Sequence, residues 1–208
     1  MPRRPRSEGH GAIHHVVAKA SGDAVIVADD ADRLRFTDEL RRVVRNQSWS
    51  CIAYCLLDTH AHLVICTPLP NLGDGMKLLL GRYAATYNRR QDRQGYVFSR
   101  PYWSRRVDRP HYLSCAALYA VLNPVAAGIC VHPAGYRWSS YRETAGVVPP
   151  TGLLDPSILL RSLHKDEAIA RVVYQEVVAD AVARLARRRA EEAWWKAVER
   201  AADTQRRG

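Results

Sequence analysis

Two runs of apolar and β-branched residues, "WSCIAYCLL" and "HAHLVICTP", stand next to each other with only Asp58 and Thr59 between them. Each run has the length and composition of a β-strand, and a two-residue polar connection is the commonest link between antiparallel strands. The pattern therefore predicts a β-hairpin in the middle of the chain, with the other elements arranged on either side of it.

Strand and helix patterns alternate along the first part of the chain. The stretch "GAIHHVVAKA" is rich in β-branched residues and predicts a first strand. Residues 31–46 carry Phe36 and other apolar side chains at helical spacing. They predict a helix whose N-cap is Asp29 or Asp30.

The alternation continues after the hairpin. Apolar side chains at helical spacing predict a second helix over residues 71–91. Residues 94–108 are aromatic and basic and predict an extended segment. Residues 109–123 predict a third helix, because Pro110 suits a first helical turn and Pro124 is expected to end the helix.

Together these elements predict an α+β fold, with a mainly antiparallel sheet and helices on one face. Beyond the stretch "VVPPTG" the composition shifts, and residues from about 155 onward are rich in Ala, Arg and Glu. We therefore expect one domain over residues 1–148 and a basic helical extension over residues 149–208. The extension could clamp DNA, dock on the first domain, pair with a second subunit or be an ordinary packed helix. The sequence does not choose between a monomer and a homodimer.

The chain is strongly basic, with 31 Lys and Arg residues against 21 Asp and Glu residues and a net charge of +10. This excess favours a polyanionic partner, and nucleic acid is the commonest soluble one. No segment approaches the roughly 18 apolar residues of a membrane span, and the N-terminus has no apolar stretch of signal-peptide length. Five cysteines without a CxxC pair fit reduced thiols. We expect a cytoplasmic, nucleoid-associated protein that does not bind membranes.

Two histidines, His60 and His62, open the second strand of the hairpin. In a strand they would project from the same face, because successive side chains alternate. Two neutral imidazoles aimed at one point can bind a divalent metal. The pattern is short and recurs by chance, so the alternative is a pair of partly exposed histidines without a ligand. A third ligand from elsewhere in the chain would favour the metal.

Residues 89–109 form a basic and aromatic segment, with seven arginines and two acidic residues. Guanidinium groups pair with phosphates, and aromatic faces stack on unpaired bases. The alternative is a solvated charged face above core aromatics, but the net charge of the chain favours single-stranded or hairpin DNA. The candidate DNA-binding residues are Arg89, Arg90, Arg93, Arg100, Tyr102, Trp103, Arg105 and Arg106.

Tyr119 and Asn123 are four residues apart in the third predicted helix and therefore lie on one face. A tyrosine oxygen can be a nucleophile, and a neighbouring amide oxygen can be a metal ligand. The chain has ten tyrosines. Spacing alone does not distinguish Tyr119 from Tyr83, Tyr87 or Tyr112.

Five stretches, in this order, resemble the single-tyrosine HUH transposases of insertion sequences, and more closely the REP-associated tyrosine transposases of bacteria. They are "HAHLVICTP", "GRYAATYNRR", "GYVFSRPYW", "YAVLNPVAAGI" and "YRWSSYRETAG". With the N-terminal "PRRPR" and "GAIHHV", the similar region covers residues 1 to about 146. No single stretch is decisive, but the ordered set is specific.

The resemblance implies a role for each matching residue. His60 and His62 would be the two histidines of the HUH motif, and Tyr119 would be the nucleophile. Asn123 would be the polar residue that completes a site for Mg²⁺ or Mn²⁺. The fold implied is a ferredoxin- or RNA-recognition-like sheet with helices on one side.

The activity implied is DNA nicking and strand transfer by a metal-dependent transposase. Single-stranded or hairpin DNA at palindromic repeats would be cut and rejoined through a 5′-phosphotyrosine link, without a nucleotide cofactor. Two alternatives stay open. A domesticated protein of this kind could bind palindromic repeats without cutting them. A metal-dependent hydrolase of small phosphoesters would explain the histidines but not the arginine and aromatic segment.

The sequence departs from the family pattern at three places. Asp58 and Thr59 stand where the family usually has a proline and an Asn or Asp. Ser99 stands where a Gln is common, and Ala126 stands where a basic residue is usual. The metal and nucleophile positions are intact, so we expect these departures to affect DNA contact rather than chemistry.

Overall fold

The structure of the protein, a computed structural model, describes residues 10–22, 24–99 and 102–207. The strands within these ranges are β1 (Ala12–Lys19), β2 (Ser50–Leu56), β3 (His60–Thr67) and β4 (Trp103–Val107). The α-helices are α1 (Asp30–Asn46), α2 (Leu72–Arg90), α3 (Pro110–Ala126), α4 (Tyr141–Thr144), α5 (Ser157–Leu163) and α6 (Glu167–Arg207).

The four strands form one sheet in the order β2-β3-β1-β4, and every neighbouring pair is antiparallel. β2 and β3 are the predicted hairpin. β1 pairs with β3 along its whole length and with β4 on its other side, so β1 is an inner strand and β4 forms one edge. The predicted α+β fold with a mainly antiparallel sheet is confirmed.

Helices cover both faces of this sheet. On one face, Leu63 of β3 packs in a core with Phe36 of α1 and Met76 of α2. On the other face, Val64 of β3 packs in a second core with Ala117 of α3. The prediction of helices on one face was therefore incomplete. β3 is buried at successive positions, and a strand of that kind needs cover on both sides.

The start of α1 is fixed by two carboxylates. Asp29 is the N-cap, as one of the two predicted residues, and its side chain accepts a hydrogen bond from the N–H of Asp32 at 3.0 Å. Arg90, at the end of α2, lies 2.6 Å from the fully buried carboxylate of Asp32. A hydrogen bond from Arg90 also lowers the pKa of Asp29. Arg90 therefore joins the end of one helix to the start of the other.

α3 begins at Pro110, as predicted, but continues through Pro124 to Ala126. The prediction that Pro124 ends the helix was wrong. Proline removes only its own N–H, and this loss falls in the last turn, where few bonds remain to be made. The carbonyl of Asn123 still accepts a hydrogen bond from the N–H of Ala127 at 2.8 Å.

The predicted helical extension contains α5 and α6, and both pack against α3. Leu159 of α5 and Tyr174 of α6 lie in the same core as Val121 of α3. Further along α6, Arg189 donates a hydrogen bond to the carbonyl of Ala126, at the end of α3. No helix in the described part of the chain combines the length and apolar character needed to cross a membrane.

Candidate active site

The sheet face that meets α3 carries a row of histidines. His60 and His62 of β3 share this face, because alternate residues of a strand point to the same side. In the neighbouring strand β1, Lys19 is the register partner of His60, and Val17 is that of His62. His15, two residues before Val17, lies on the same face. The pairing of two strands thus places three imidazoles and one ammonium group side by side.

Helix α3 brings Tyr119 and Asn123 to these histidines. The ring of Tyr119 lies edge-on to the ring of His62, with their centroids 5.2 Å apart. One turn later, the amide Nδ2 of Asn123 donates to the carbonyl of Tyr119 at 2.7 Å. Asn123 is also hydrogen-bonded to His60 and to His62. The structure therefore brings together the predicted nucleophile and the three predicted metal ligands.

His15 completes the cluster, although it was not among the residues predicted from the sequence. Its Nε2 lies 3.1 Å from Nδ1 of His62, and the two rings are stacked with centroids 5.3 Å apart. The ring of Tyr119 is 5.7 Å away. The sequence has two adjacent histidines, His14 and His15, and strand alternation sends one to each face. Only the register of β1 against β3 shows which of them reaches the site.

Thr59 contacts the other histidine from the turn before β3. Its Oγ1 lies 2.9 Å from Nδ1 of His60. The preceding residue, Asp58, forms an ion pair with Arg33 of α1. The turn that departs from the family pattern therefore still gives His60 a hydrogen-bonding partner, and it is tied to α1.

Burial sets the protonation state of the three histidines. It lowers the pKa of His62 to about 3, an effect that positive charge on His60 and His15 would increase and that the hydrogen bond with Asn123 opposes. Burial also lowers the pKa of His60 and the pKa of His15. At pH 7 all three imidazoles are therefore neutral, and each has a nitrogen lone pair.

The donor atoms of this cluster suit a divalent cation. Asn123 uses its Nδ2 for the carbonyl of Tyr119, so its Oδ1 is left for the histidines. Imidazole nitrogen and carboxamide oxygen are both accepted by Mn²⁺, and Mg²⁺ prefers the oxygen. Among the described residues, no cluster of three or more His, Cys, Asp or Glu side chains is arranged to hold a metal ion. A metal here would therefore depend on the amide of Asn123 and on oxygens of water or substrate.

A groove of about 930 Å³ lies beside the cluster, between the sheet and α3. Tyr119 lines the groove and is 57 % exposed, so its phenol is open to a large substrate. Lys19 and Arg105 give the groove positive charge, Arg106 also lines it, and Trp103 offers an indole that is half exposed. Basic groups together with an exposed aromatic face suit a single strand of nucleic acid.

Of the predicted DNA-binding residues, Trp103, Arg105 and Arg106 line this groove from β4. Tyr102 is only 4 % exposed and belongs to the core between the sheet, α1 and α2. The prediction that it stacks on bases is wrong, because a buried ring cannot reach a base. Arg100 lies outside the described residues.

The predicted DNA-binding arginines of the α2 region lie outside the groove lining. Both terminal nitrogens of Arg90 bond to carboxylates at the start of α1, including buried Asp32, which gives Arg90 a structural role beside the predicted contact with DNA. Arg89, beside it, is exposed. Arg93 lies over the ring of Tyr87, 5.8 Å from its centroid. Arg89 and Arg93 therefore stay candidates for contact with DNA that extends beyond the groove.

Lys19 and Ser99 also line the groove, although they were not among the predicted site residues. Lys19 ends β1, and no motif marks it, so only its pairing with His60 reveals its position. The N–H of Ser99 donates to the carbonyl of Lys19 at 3.0 Å, which places Ser99 at the same end of the groove. The sequence departure at Ser99 therefore lies where it can affect contact with a substrate.

No protein-family model matches the sequence, and no curated protein is similar to it in sequence. A solved structure with a similar fold is described as the "REP associates tyrosine transposase bound to a REP hairpin". The TM-score is 0.60 and the sequence identity is 13 %, over 81 % of this chain and 94 % of that chain. At this identity the similarity shows a shared fold.

Proposed function

We propose that this chain is a transposase-like single-strand DNA endonuclease and strand transferase that cuts and rejoins DNA at hairpin or palindromic repeats. The observation that carries the proposal is the position of Tyr119, whose exposed phenol lies 5.2 Å from His62, centroid to centroid, beside a basic groove. The shared fold with a transposase bound to a REP hairpin supports hairpin DNA as the substrate class.

In the proposed reaction, the phenol oxygen of Tyr119 attacks the phosphorus of a phosphodiester and gives up its proton to water. The bond from phosphorus to the 3′ oxygen breaks, and that oxygen takes up a proton. The 5′ phosphate stays on the tyrosine. Attack by a 3′-hydroxyl reverses the step and rejoins DNA ends. Because the number of phosphoester bonds is conserved, no nucleotide cofactor is needed.

His60, His62 and Asn123 would hold Mg²⁺ or Mn²⁺. Its contribution when bound would be to polarise the phosphate and to stabilise the negative charge that develops during the displacement. The lowered pKa values of both histidines, caused mainly by burial, favour this role. An imidazole that is already neutral at pH 7 does not have to lose a proton before it can bind a metal.

Residues of the groove would bind the DNA strand on either side of the cut. Lys19 and Arg105 carry positive charge into the groove and suit the phosphates. Trp103 presents a half-exposed indole on which an unpaired base can stack. Arg106 is paired with Asp108 at 2.8 Å, so its guanidinium would be shared between that carboxylate and a phosphate.

Covalent capture tests the proposal. Purified protein is incubated with single-stranded hairpins that carry tails on both sides, with and without Mn²⁺, and the products are separated under denaturing conditions. DNA labelled at the 3′ end should give a labelled protein band, and DNA labelled at the 5′ end should give only a shortened free strand. Hairpin binding without an adduct at any Mn²⁺ concentration would show a DNA-binding protein that does not cut.

A further inference from the structure

Each histidine of the proposed metal site has one ring nitrogen bonded to a partner outside that site. For His62 this atom is Nδ1, 3.1 Å from Nε2 of His15. For His60 it is also Nδ1, 2.9 Å from Oγ1 of Thr59. The nitrogen left on each ring is Nε2. In the metal-free protein an Nε2–H can donate to the amide oxygen of Asn123, which is hydrogen-bonded to both rings, and a metal would take the place of that proton. Two separate parts of the chain, β1 and the turn before β3, therefore contact Nδ1 on both rings.

We propose that His15 and Thr59 are positioning residues that hold His62 and His60 with Nε2 as the metal-binding atom. This proposal rests on the proposed function, because it concerns the same metal site. A neutral imidazole carries one proton, and a metal binds the nitrogen that lacks it. When the Nδ1–H of each histidine donates to its outer partner, both Nε2 lone pairs are directed at the site together.

The packing around His15 fixes the direction of its ring. The ring stacks on His62 at an interplanar angle of 25°. It also meets the edge of Trp103 at 5.8 Å and lies at 68° to the ring of Tyr119. These contacts restrict rotation of His15, so its Nε2 stays next to Nδ1 of His62. His15 contacts Nδ1 of His62 rather than the site itself. In the proposal His15 is therefore the acceptor for the Nδ1–H of metal-bound His62, and not a third ligand.

Two pairs of variants separate hydrogen bonding from simple packing. His15→Phe keeps a ring against its neighbours and loses the acceptor, whereas His15→Gln loses the ring and keeps an acceptor. Thr59→Val keeps the shape of the side chain and loses the hydroxyl, whereas Thr59→Ser keeps the hydroxyl. Thr59 is exposed, so its variants test the same idea even where a change at His15 prevents folding.

The readout is the affinity of the full chain for Mn²⁺ in the absence of DNA, measured by the electron paramagnetic resonance signal of free Mn²⁺. We expect His15→Phe and Thr59→Val to bind Mn²⁺ at least roughly tenfold more weakly than the unchanged protein. His15→Gln and Thr59→Ser should bind within about threefold of it. In protein saturated with Mg²⁺ at pH 8, long-range ¹H–¹⁵N spectra should show His60 and His62 protonated at Nδ1, and each apolar variant should lose this preference at its own histidine.

The outcomes distinguish this proposal from the proposed function. Equal Mn²⁺ affinity in the unchanged protein and all four variants would overturn the positioning role and leave the proposed function standing. Loss of affinity in His15→Gln but not in His15→Phe would assign ring packing to His15 and overturn its role as an acceptor. An unchanged protein that binds no Mn²⁺ at millimolar concentration would overturn both proposals.

Discussion

The side-chain amide of Asn123 donates a hydrogen bond to the main-chain carbonyl of Tyr119, 2.7 Å away, within one turn of α3. The bond uses the Nδ2 of Asn123, so the Oδ1 is left as the atom that could bind a metal. It also joins Asn123 to the helical turn that carries the phenol. The next residue, Pro124, has no backbone N–H to donate within the helix. The proposed nucleophile and the proposed oxygen ligand are therefore joined by a hydrogen bond within one turn of the helix.

Replacing Tyr119 with phenylalanine should abolish covalent adducts with hairpin DNA and leave hairpin affinity nearly unchanged. The variant removes only the attacking oxygen and keeps the ring that packs against His62. Denaturing gels measure the adducts, and fluorescence anisotropy measures binding. The matched control is Tyr96→Phe, since Tyr96 is 87 % exposed and does not line the groove. Adducts that persist in Tyr119→Phe would place the nucleophile on another tyrosine.

Removal of divalent metal should stop cleavage while the protein stays folded. EDTA is added during the assay, and Mn²⁺ or Mg²⁺ in excess should restore activity, because in the proposed reaction the ion that His60, His62 and Asn123 would hold stabilises the phosphate charge. Circular dichroism monitors folding in parallel. Cleavage that continues at full rate in EDTA would remove the role assigned to these three residues.

Two arginines from the same predicted set should behave in opposite ways. Arg105→Ala should weaken hairpin binding and reduce the dependence of log affinity on log salt by about 0.7, the value for one lost phosphate contact on single-stranded DNA. Arg90→Ala should lower the melting temperature and leave the affinity of the folded protein unchanged, because Arg90 is bonded to Asp29 and Asp32. Binding at a series of salt concentrations and thermal unfolding are measured on both variants. Equal loss of affinity in the two would contradict the structural role of Arg90.

Acid should destabilise the fold partly through His14. Burial, with the charge of Arg106 nearby, lowers the pKa of His14, and its Nε2 has no hydrogen-bond partner among the described residues. Below pH 6.5 the unfolded chain takes up a proton here and the folded chain does not, so stability is full above pH 6.5 and falls towards the lower folded pKa. The free energy of unfolding then drops by up to about 1.4 kcal/mol per pH unit for each such histidine. Urea unfolding at pH 7.5 and 5.5 should show a smaller drop in His14→Leu than in the unchanged protein; an equal drop would contradict the assignment.

Two glycines of α2 provide a test of packing. A Cβ added at Gly75 would lie 2.1 Å from a ring carbon of Trp49, whose indole N–H is held by Asn71 at 2.8 Å. Gly75→Ala should therefore lower the melting temperature. A Cβ at Gly81 meets nothing within 4 Å, so Gly81→Ala should raise the free energy of unfolding by about 0.5–1 kcal/mol through helix propensity. Thermal and urea unfolding measure both, and a gain of stability in Gly75→Ala as well as in Gly81→Ala would show that the ring of Trp49 can move aside.

The parts of the molecule that the sequence predicted are those set by local pattern. The hairpin follows from two strand-like runs and a short polar link. The positions of Tyr119 and Asn123 on one face follow from their spacing of four residues in a helix. The N-cap was predicted at Asp29 or Asp30 from the chemistry of a carboxylate before a helix, and the structure places it at Asp29.

The parts that the sequence did not predict depend on pairing between distant segments. His15 and Lys19 belong to the site only because β1 lies beside β3 in one particular register. Trp103 and Tyr102 are neighbours in sequence, and alternation sends one to the groove and the other to the core. Nothing in the local sequence states which of two adjacent residues faces which side.

The alternation along β3 has an evolutionary consequence. Leu63 and Ile65 pack in the core with α1 and α2, whereas His60 and His62 face the site on the opposite side of the sheet. Under the proposed function, one substitution at a site-facing position would end cutting. The contacts on the opposite face would persist, so the protein would still fold and could still bind DNA repeats. A DNA-cutting enzyme of this kind could then become a protein that only binds DNA by very few substitutions, because alternate residues of β3 serve cleavage and folding separately.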